Sequence, residues 1–113
     1  MPDRITGWQA HVYYDPDATR GIAAALREAI AERFPAAVFG RWHDRPVGPH
    51  PIAMYQVAFG PELLAGLLSF LALQRAGLTI LVHPETGHPR ADHSAHALWL
   101  GDRLPLDIEF LPE

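Results

Sequence analysis

Two stretches of this chain repeat their apolar residues at helical spacing, and the segments around them alternate with period two. Residues 18–34 are rich in alanine and carry a stripe at Ile22, Leu26, Ala29, Ile30 and Phe34, which predicts a helix with one face turned inward. Asp15 or Asp17 offers it a cap, and Pro35 ends it. A second helix is expected from Glu62 to about Ala76, entered through Gly60-Pro61 and left at Gly77, a residue suited to the left-handed turn after a helix. Its apolar residues, Leu63, Leu64, Leu67, Leu68, Phe70, Leu71 and Leu73, cover more than one face. An arc that wide implies a second packing partner, such as another subunit.

The alternating segments read as strands. In residues 8–14, Ala10, Val12 and Tyr14 oppose Gln9, His11 and Tyr13. Further strands are expected at 38–43, 52–59, 79–83 and 94–100, with a short last one at 107–111. Between the second and third, Pro46, Pro49 and Pro51 forbid a ladder and stiffen the connection. The order is strand, helix, strand, strand, helix, strand, with an added arm. This is the split βαβ plan: an α+β, ferredoxin-like sandwich, its sheet antiparallel and its two helices on one face, with an extra C-terminal hairpin arm. At 113 residues, 49% apolar and 19% charged, the chain is expected to form a single domain over residues 1–113.

Composition narrows the chemistry. A net charge of −4 provides no basic footprint for nucleic acid or an anionic membrane surface, and no apolar run is long enough to span a bilayer. Residues 1–7 hold Pro, Asp and Arg rather than an apolar signal core. Cysteine is absent, so disulfides and thiolate metal sites are excluded and a cytoplasmic location is the expectation. A metal would be held by imidazole, carboxylate or water, which suits Fe, Zn, Mn, Ni or Cu.

His83, His88, His93 and His96, four of the seven histidines, fall within residues 83–96. In the split βαβ plan the first strand is central and the fourth runs antiparallel beside it. Ala10, Val12, Tyr14, Ile80 and Val82 then face the helices, and His11, Tyr13, Leu81 and His83 face away. If the hairpin turn spans 84–93, Ser94, His96 and Leu98 share the face of His83. His11, His83 and His96 become the expected metal ligands. His50, in the proline-stiffened connection, and His93, at the hairpin mouth, are placed as acid/base groups, and either is able to replace His96. A slip of one residue would undo the position of His96. His43 and His88 read as solvated loop residues. Imidazoles buried together without partners are costly, so the group points to metal binding or catalysis, although no standard zinc spacing is present.

The segments HVYYD at 11–15, GPHP at 48–51, LVHPETG at 81–87, DHSAHALWLG at 92–101 and LPLD at 104–107 resemble the DOPA 4,5-dioxygenase family, in the family's order and over nearly the whole chain. The resemblance implies a ferredoxin-like subunit that pairs as a homodimer. It also implies a non-haem Fe(II) enzyme (Zn or another divalent metal occupying the site in isolated protein) that cleaves DOPA-like catechols with O2 in extradiol fashion. Its motif histidines are His11, His50, His83, His93 and His96. A three-histidine site and one that recruits Asp92 or Glu85 both stay open. In the enzyme reading, His50 or His93 moves the catechol proton, and Tyr13 or Arg41 orients the substrate. The alternatives are a non-enzymatic metal- or small-ligand-binding protein and a plain dimerisation module on the same fold.

Overall fold

The structure, a computed structural model, describes residues 4–113, so the very start of the amino-terminal stretch read above lies outside it. The elements are β1 Gly7–Tyr13, α1 Arg20–Arg33, β2 Val38–Phe39, β3 Met54–Phe59, α2 Leu64–Gln74, β4 Ile80–Glu85, α3 Pro89–Asp92 and β5 Leu98–Leu100. Short 3-10 turns occupy Pro61–Leu63 and Ile108–Phe110. The sheet order is β2-β3-β1-β4-β5, and every neighbouring pair is antiparallel. This is the ferredoxin-like plan with β5 added at one edge. Among the described residues no helix is long and apolar enough to cross a membrane.

The main core lies between the sheet and the two long helices. Ala10, Val12, Tyr55, Val57, Ile80 and Val82 supply the sheet side. Ala23, Leu26 and Ile30 supply α1, and Leu67 and Leu71 supply α2. The expected stripe on α1 is corrected by one position: Ile22 is 42% exposed, and Ala23 takes the inward place. The small side chain lets the helix approach the sheet closely, and the Tyr55 hydroxyl donates to the Ala23 carbonyl at 2.8 Å. On α2, Leu63, Leu64, Leu68 and Phe70 pack at the margin of the core, while Leu73 is 83% exposed.

The expected second strand is shortened to Val38–Phe39. After the Gly40 amide bonds to Gln56, the chain leaves the ladder and rejoins it only where His43 bridges Met54. The bulge releases Trp42 to pack edge-on against Tyr14 and Tyr55. The expected strands at 94–100 and 107–111 are also smaller than the alternation implied, being Leu98–Leu100 and a 3-10 turn.

Those C-terminal residues form an arm over part of the far side of the sheet. Tyr13, Met54 and Leu81 form a second, smaller core there, with Val47, Ala97, Trp99, Leu104 and Leu106 packed on it. The Asp107 amide bonds to the Pro49 carbonyl at 2.9 Å, which ties the arm to the proline-rich connection. Arg90 holds the tail through the carbonyls of Leu111 at 2.7 Å and Glu109 at 3.3 Å. The sheet is therefore covered on both sides near its centre, so polar groups on the far face of β1 and β4 are buried.

The corrected stripe sets a direct test. Leu26→Ala is expected to cost about 2–5 kcal/mol and Ile22→Ala less than about 1 kcal/mol, read as shifts of the urea midpoint at constant slope.

Candidate functional site

In the β1–β4 pairing, His11 stands opposite Leu81 and His83 opposite Gln9. The two histidines thus share a face and meet on the diagonal. Their rings are near parallel, with centroids 5.1 Å apart and an interplanar angle of 15°, and their Nε2 atoms are 3.0 Å apart. His93 enters from the end of α3, its ring 4.0 Å from that of His83. His11, His83 and His93 each offer a nitrogen within 4.8 Å of the others. The His50 ring lies 4.3 Å from that of His11, and its Nδ1 is 2.7 Å from the Tyr13 hydroxyl.

Local chemistry explains why His93 is delivered. Gly87, at φ 88°, reverses the chain after β4 in a conformation that disfavours other residues. Pro89 then starts the single turn of α3. Asp92 is buried and clamps that turn to the end of β4. It accepts hydrogen bonds from the Thr86 amide at 2.8 Å, the Thr86 hydroxyl at 2.7 Å and His96 Nδ1 at 3.1 Å. His88, which was read as a plain loop residue, caps the turn, and its carbonyl accepts from the Asp92 amide at 2.9 Å.

Two of the three imidazoles have their protonation pattern set by backbone. His83 Nδ1 lies 2.9 Å from the Pro84 carbonyl, and His93 Nδ1 lies 2.8 Å from the Pro89 carbonyl. A carbonyl only accepts, so each Nδ1 carries the proton and each Nε2 keeps a lone pair. His11 has no such constraint. Its Nδ1 is buried without a partner among the described residues. Two nitrogens 3.0 Å apart have the spacing of neighbouring ligands at about 2.1 Å from one shared ion. The donor set, neutral and all imidazole, suits a divalent transition metal. Neither carboxylate considered from the sequence joins it: Asp92 is engaged as described, and Glu85 is hydrogen-bonded to Gln9.

Burial keeps the rings of His11, His50 and His83 neutral. Desolvation, followed by repulsion from His50, His83 and His93, lowers His11 well below its ordinary value. His50 is lowered to about 4 by desolvation and then by His93, His83 and His43. His83 is also lowered to about 4, by desolvation and His93 against weaker opposing contributions from Pro84 and Asp92. Burial alone would raise Asp92, but the hydrogen bonds from Thr86 and His96 outweigh it and hold the carboxyl below its ordinary value.

His11, His50, His83 and Tyr13 thus stand together on the expected face, and His93 joins them. His96 does not. The β5 register sets Trp99 opposite Leu81 and Leu98 opposite Val82, one residue from the expected alignment. His96 lies ahead of that strand with its side chain 41% exposed, paired to Asp92. Arg41 is also elsewhere. It is exposed and lines a surface depression with Trp42, Asp44 and Arg45, in which none of the clustered rings takes part. Asp92, a ligand candidate from sequence, instead clamps α3, and its helical interval to His96 is the sequence signal of a turn there. A pocket of about 190 Å³ adjoins the cluster, lined by His93, Ser94, Trp99, Arg103, Leu104 and Leu106 among others.

Residues 8–110 match the family model of the Dopa 4,5-dioxygenase family. The chain is similar to a curated "Uncharacterized 21.2 kDa protein" of Botryotinia fuckeliana, 36% identical over 97 residues, covering 79% of this chain and 53% of that one. It is also similar to the DOPA 4,5-dioxygenase of Amanita muscaria, 32% identical over 119 residues, covering 99% of this chain and 52% of that one. The chain spans about half the length of these curated relatives. A crystal structure of a candidate dioxygenase from Nostoc punctiforme superposes with a TM-score of 0.91 at 52% identity, covering 94% of this chain and 90% of that one.

The neutral rings predict a pH dependence for the metal-free protein. His11, His50 and His83 are lowered in the fold but titrate near about 6.5 once unfolded. Below that pH the unfolded chain binds more protons than the fold, so stability falls as pH drops from about 6.5 toward 4. Thermal melts across that range are expected to show a steady loss of Tm, with a shallower slope in His50→Gln.

Proposed function

The chain belongs to the Dopa 4,5-dioxygenase family, and from that premise we propose that it is an extradiol ring-cleavage dioxygenase. It acts on a catechol such as DOPA with O2, using non-haem Fe(II) held by His11, His83 and His93. The observation that carries this reading is the convergence of these three imidazoles, two with the Nε2 lone pair fixed by a backbone carbonyl, beside a pocket of about 190 Å³. A dry cavity of about 150 Å³ already admits benzene, so one catechol ring is within its capacity.

When bound, the ion would acidify the diol and hold it next to O2. One ring carbon–carbon bond beside the diol breaks, both atoms of O2 enter the product, and no further oxidant is required. Burial holds the His11 and His83 rings neutral, so an ion meets lone pairs rather than protons there. His50 handles the proton. In the tautomer whose Nδ1–H donates to the Tyr13 hydroxyl, Nε2 is free to take a proton from the diol. Burial and the neighbouring imidazoles lower His50 to about 4, so its ring is neutral and able to accept a proton at working pH. Tyr13 thus acts by fixing His50, and Trp99, stacked on Tyr13 at 6.1 Å and 18°, supplies a flat wall for an aromatic ring.

Anaerobic loading with Fe(II), then a catechol and O2, is expected to yield a yellow ring-opened product with one O2 consumed per ring. His83→Ala and His93→Ala lose both metal and turnover, whereas His96→Ala keeps its metal. His50→Gln keeps its metal and loses at least about 100-fold in kcat. Unimpaired iron binding by His83→Ala, or no turnover of any catechol, sinks the proposal. A metal spectrum that catechol leaves unchanged supports simple metal binding instead.

A further inference from the structure

The pocket beside His93 contains a charge that the ring-cleavage reading leaves unused. Its lining is His93, Ser94, Trp99, Arg103 and the apolar residues of 104–108. Arg103 is the one lining residue that carries a guanidinium. Four of the other eight arginines hold parts of the fold together. Arg20 pairs with Asp44, Arg27 with the Gly40 carbonyl, Arg75 with the Leu78 carbonyl, and Arg90 with the tail. Arg103 has no hydrogen bond or ion pair among the described residues. It follows the turn at Gly101, whose φ of 83° bends the chain out of β5 and begins the arm. Arg103 is exposed and lines one small pocket together with His93 and Trp99.

We propose that Arg103 is a specificity residue, the side chain that reads the carboxylate of a DOPA-like catechol at this pocket. The proposal rests on the reading of the site given above. The diol end of such a molecule lies toward His93 and the ring against Trp99. At about 190 Å³ the pocket accepts one ring and a short chain but not a second ring. A guanidinium without a protein partner matches a planar carboxylate through two parallel hydrogen bonds. Arg41, the arginine singled out from sequence, lines a different depression and has no part in this contact.

Two comparisons test the proposal. In the first, calorimetry measures binding of 3-(4-hydroxyphenyl)propionate and of 4-ethylphenol, which differ by the carboxylate and lack the diol, so no cleavage intervenes. The propionate is expected to bind Arg103→Gln at least about tenfold more weakly than the wild type. Binding of 4-ethylphenol changes less than about twofold, Arg103→Lys falls between, and Arg41→Gln matches the wild type. In the second, kcat/KM is measured for 3-(3,4-dihydroxyphenyl)propionate and 4-methylcatechol with the iron-loaded protein. Arg103→Gln is expected to lose rate selectively on the former, through KM. Equal losses on both partners, no loss on either, a selective loss in Arg41→Gln, or failure of the wild type to bind the propionate overturns the role of Arg103. If the wild type cleaves neither catechol, the ring-cleavage reading falls, and the calorimetric comparison still decides whether Arg103 holds a carboxylate.

Discussion

The site depends on the diagonal contact between His11 and His83 across the β1–β4 ladder. Antiparallel pairing places residues opposite and diagonal to one another on one face within side-chain reach. The observed register, with His11 at Leu81 and His83 at Gln9, brings the two Nε2 atoms to 3.0 Å. A slip of one residue in this pairing would send one ring into the helix-side core. That slip is resisted by the other face of the same strands, where Ala10, Val12, Ile80 and Val82 are fully buried and have no place in water. The hydrophobic core on one side of the sheet thus enforces the polar geometry on the other.

A polar cluster this deep is expensive, and the fold offsets the cost with specific partners. His83 and His93 donate to backbone carbonyls, and His50 bonds to Tyr13. Within the cluster, His11 Nδ1 is a buried nitrogen without a partner among the described residues. The C-terminal arm and the proline-rich connection, joined by the Asp107–Pro49 hydrogen bond, help to bury His11, His50 and His83, and that burial holds these three rings neutral. Locally unfavourable burial that the rest of the structure over-determines is what a preorganised site requires. The acidic side chains nearby serve this organisation rather than the ligand set, Asp92 by clamping α3 and Glu85 by bonding to Gln9.

The match to the Dopa 4,5-dioxygenase family over residues 8–110 agrees with the motif segments, which supply residues from β1, the proline-rich connection, β4, α3 and the arm. These elements are far apart in the chain and meet only at the imidazole cluster. Family resemblance and geometry therefore converge on one place by separate routes. The larger surface depressions, around Arg41 and around Arg27, lack that convergence.

Taken alone, the sequence determined the order of strands and helices, the central place of β1 and the face on which His11, Tyr13, Leu81 and His83 lie. Period-two alternation over several residues is a local property that the pleat converts directly into sidedness. The tertiary structure decided the rest of the cluster. Residues 89–97 carry no sustained alternation, and their path depends on Asp92 bonding back to Thr86, a contact between side chain and distant backbone that no periodicity encodes. That clamp turns 89–92 into a helical turn, shortens β5, shifts its register by one and exchanges His96 for His93 beside His83. Likewise, the bulge at Arg41 follows from Trp42 packing on Tyr14 and Tyr55, and the position of Arg103 from the arm folding over the sheet. Both are consequences of packing between segments, which spacing along the chain does not specify.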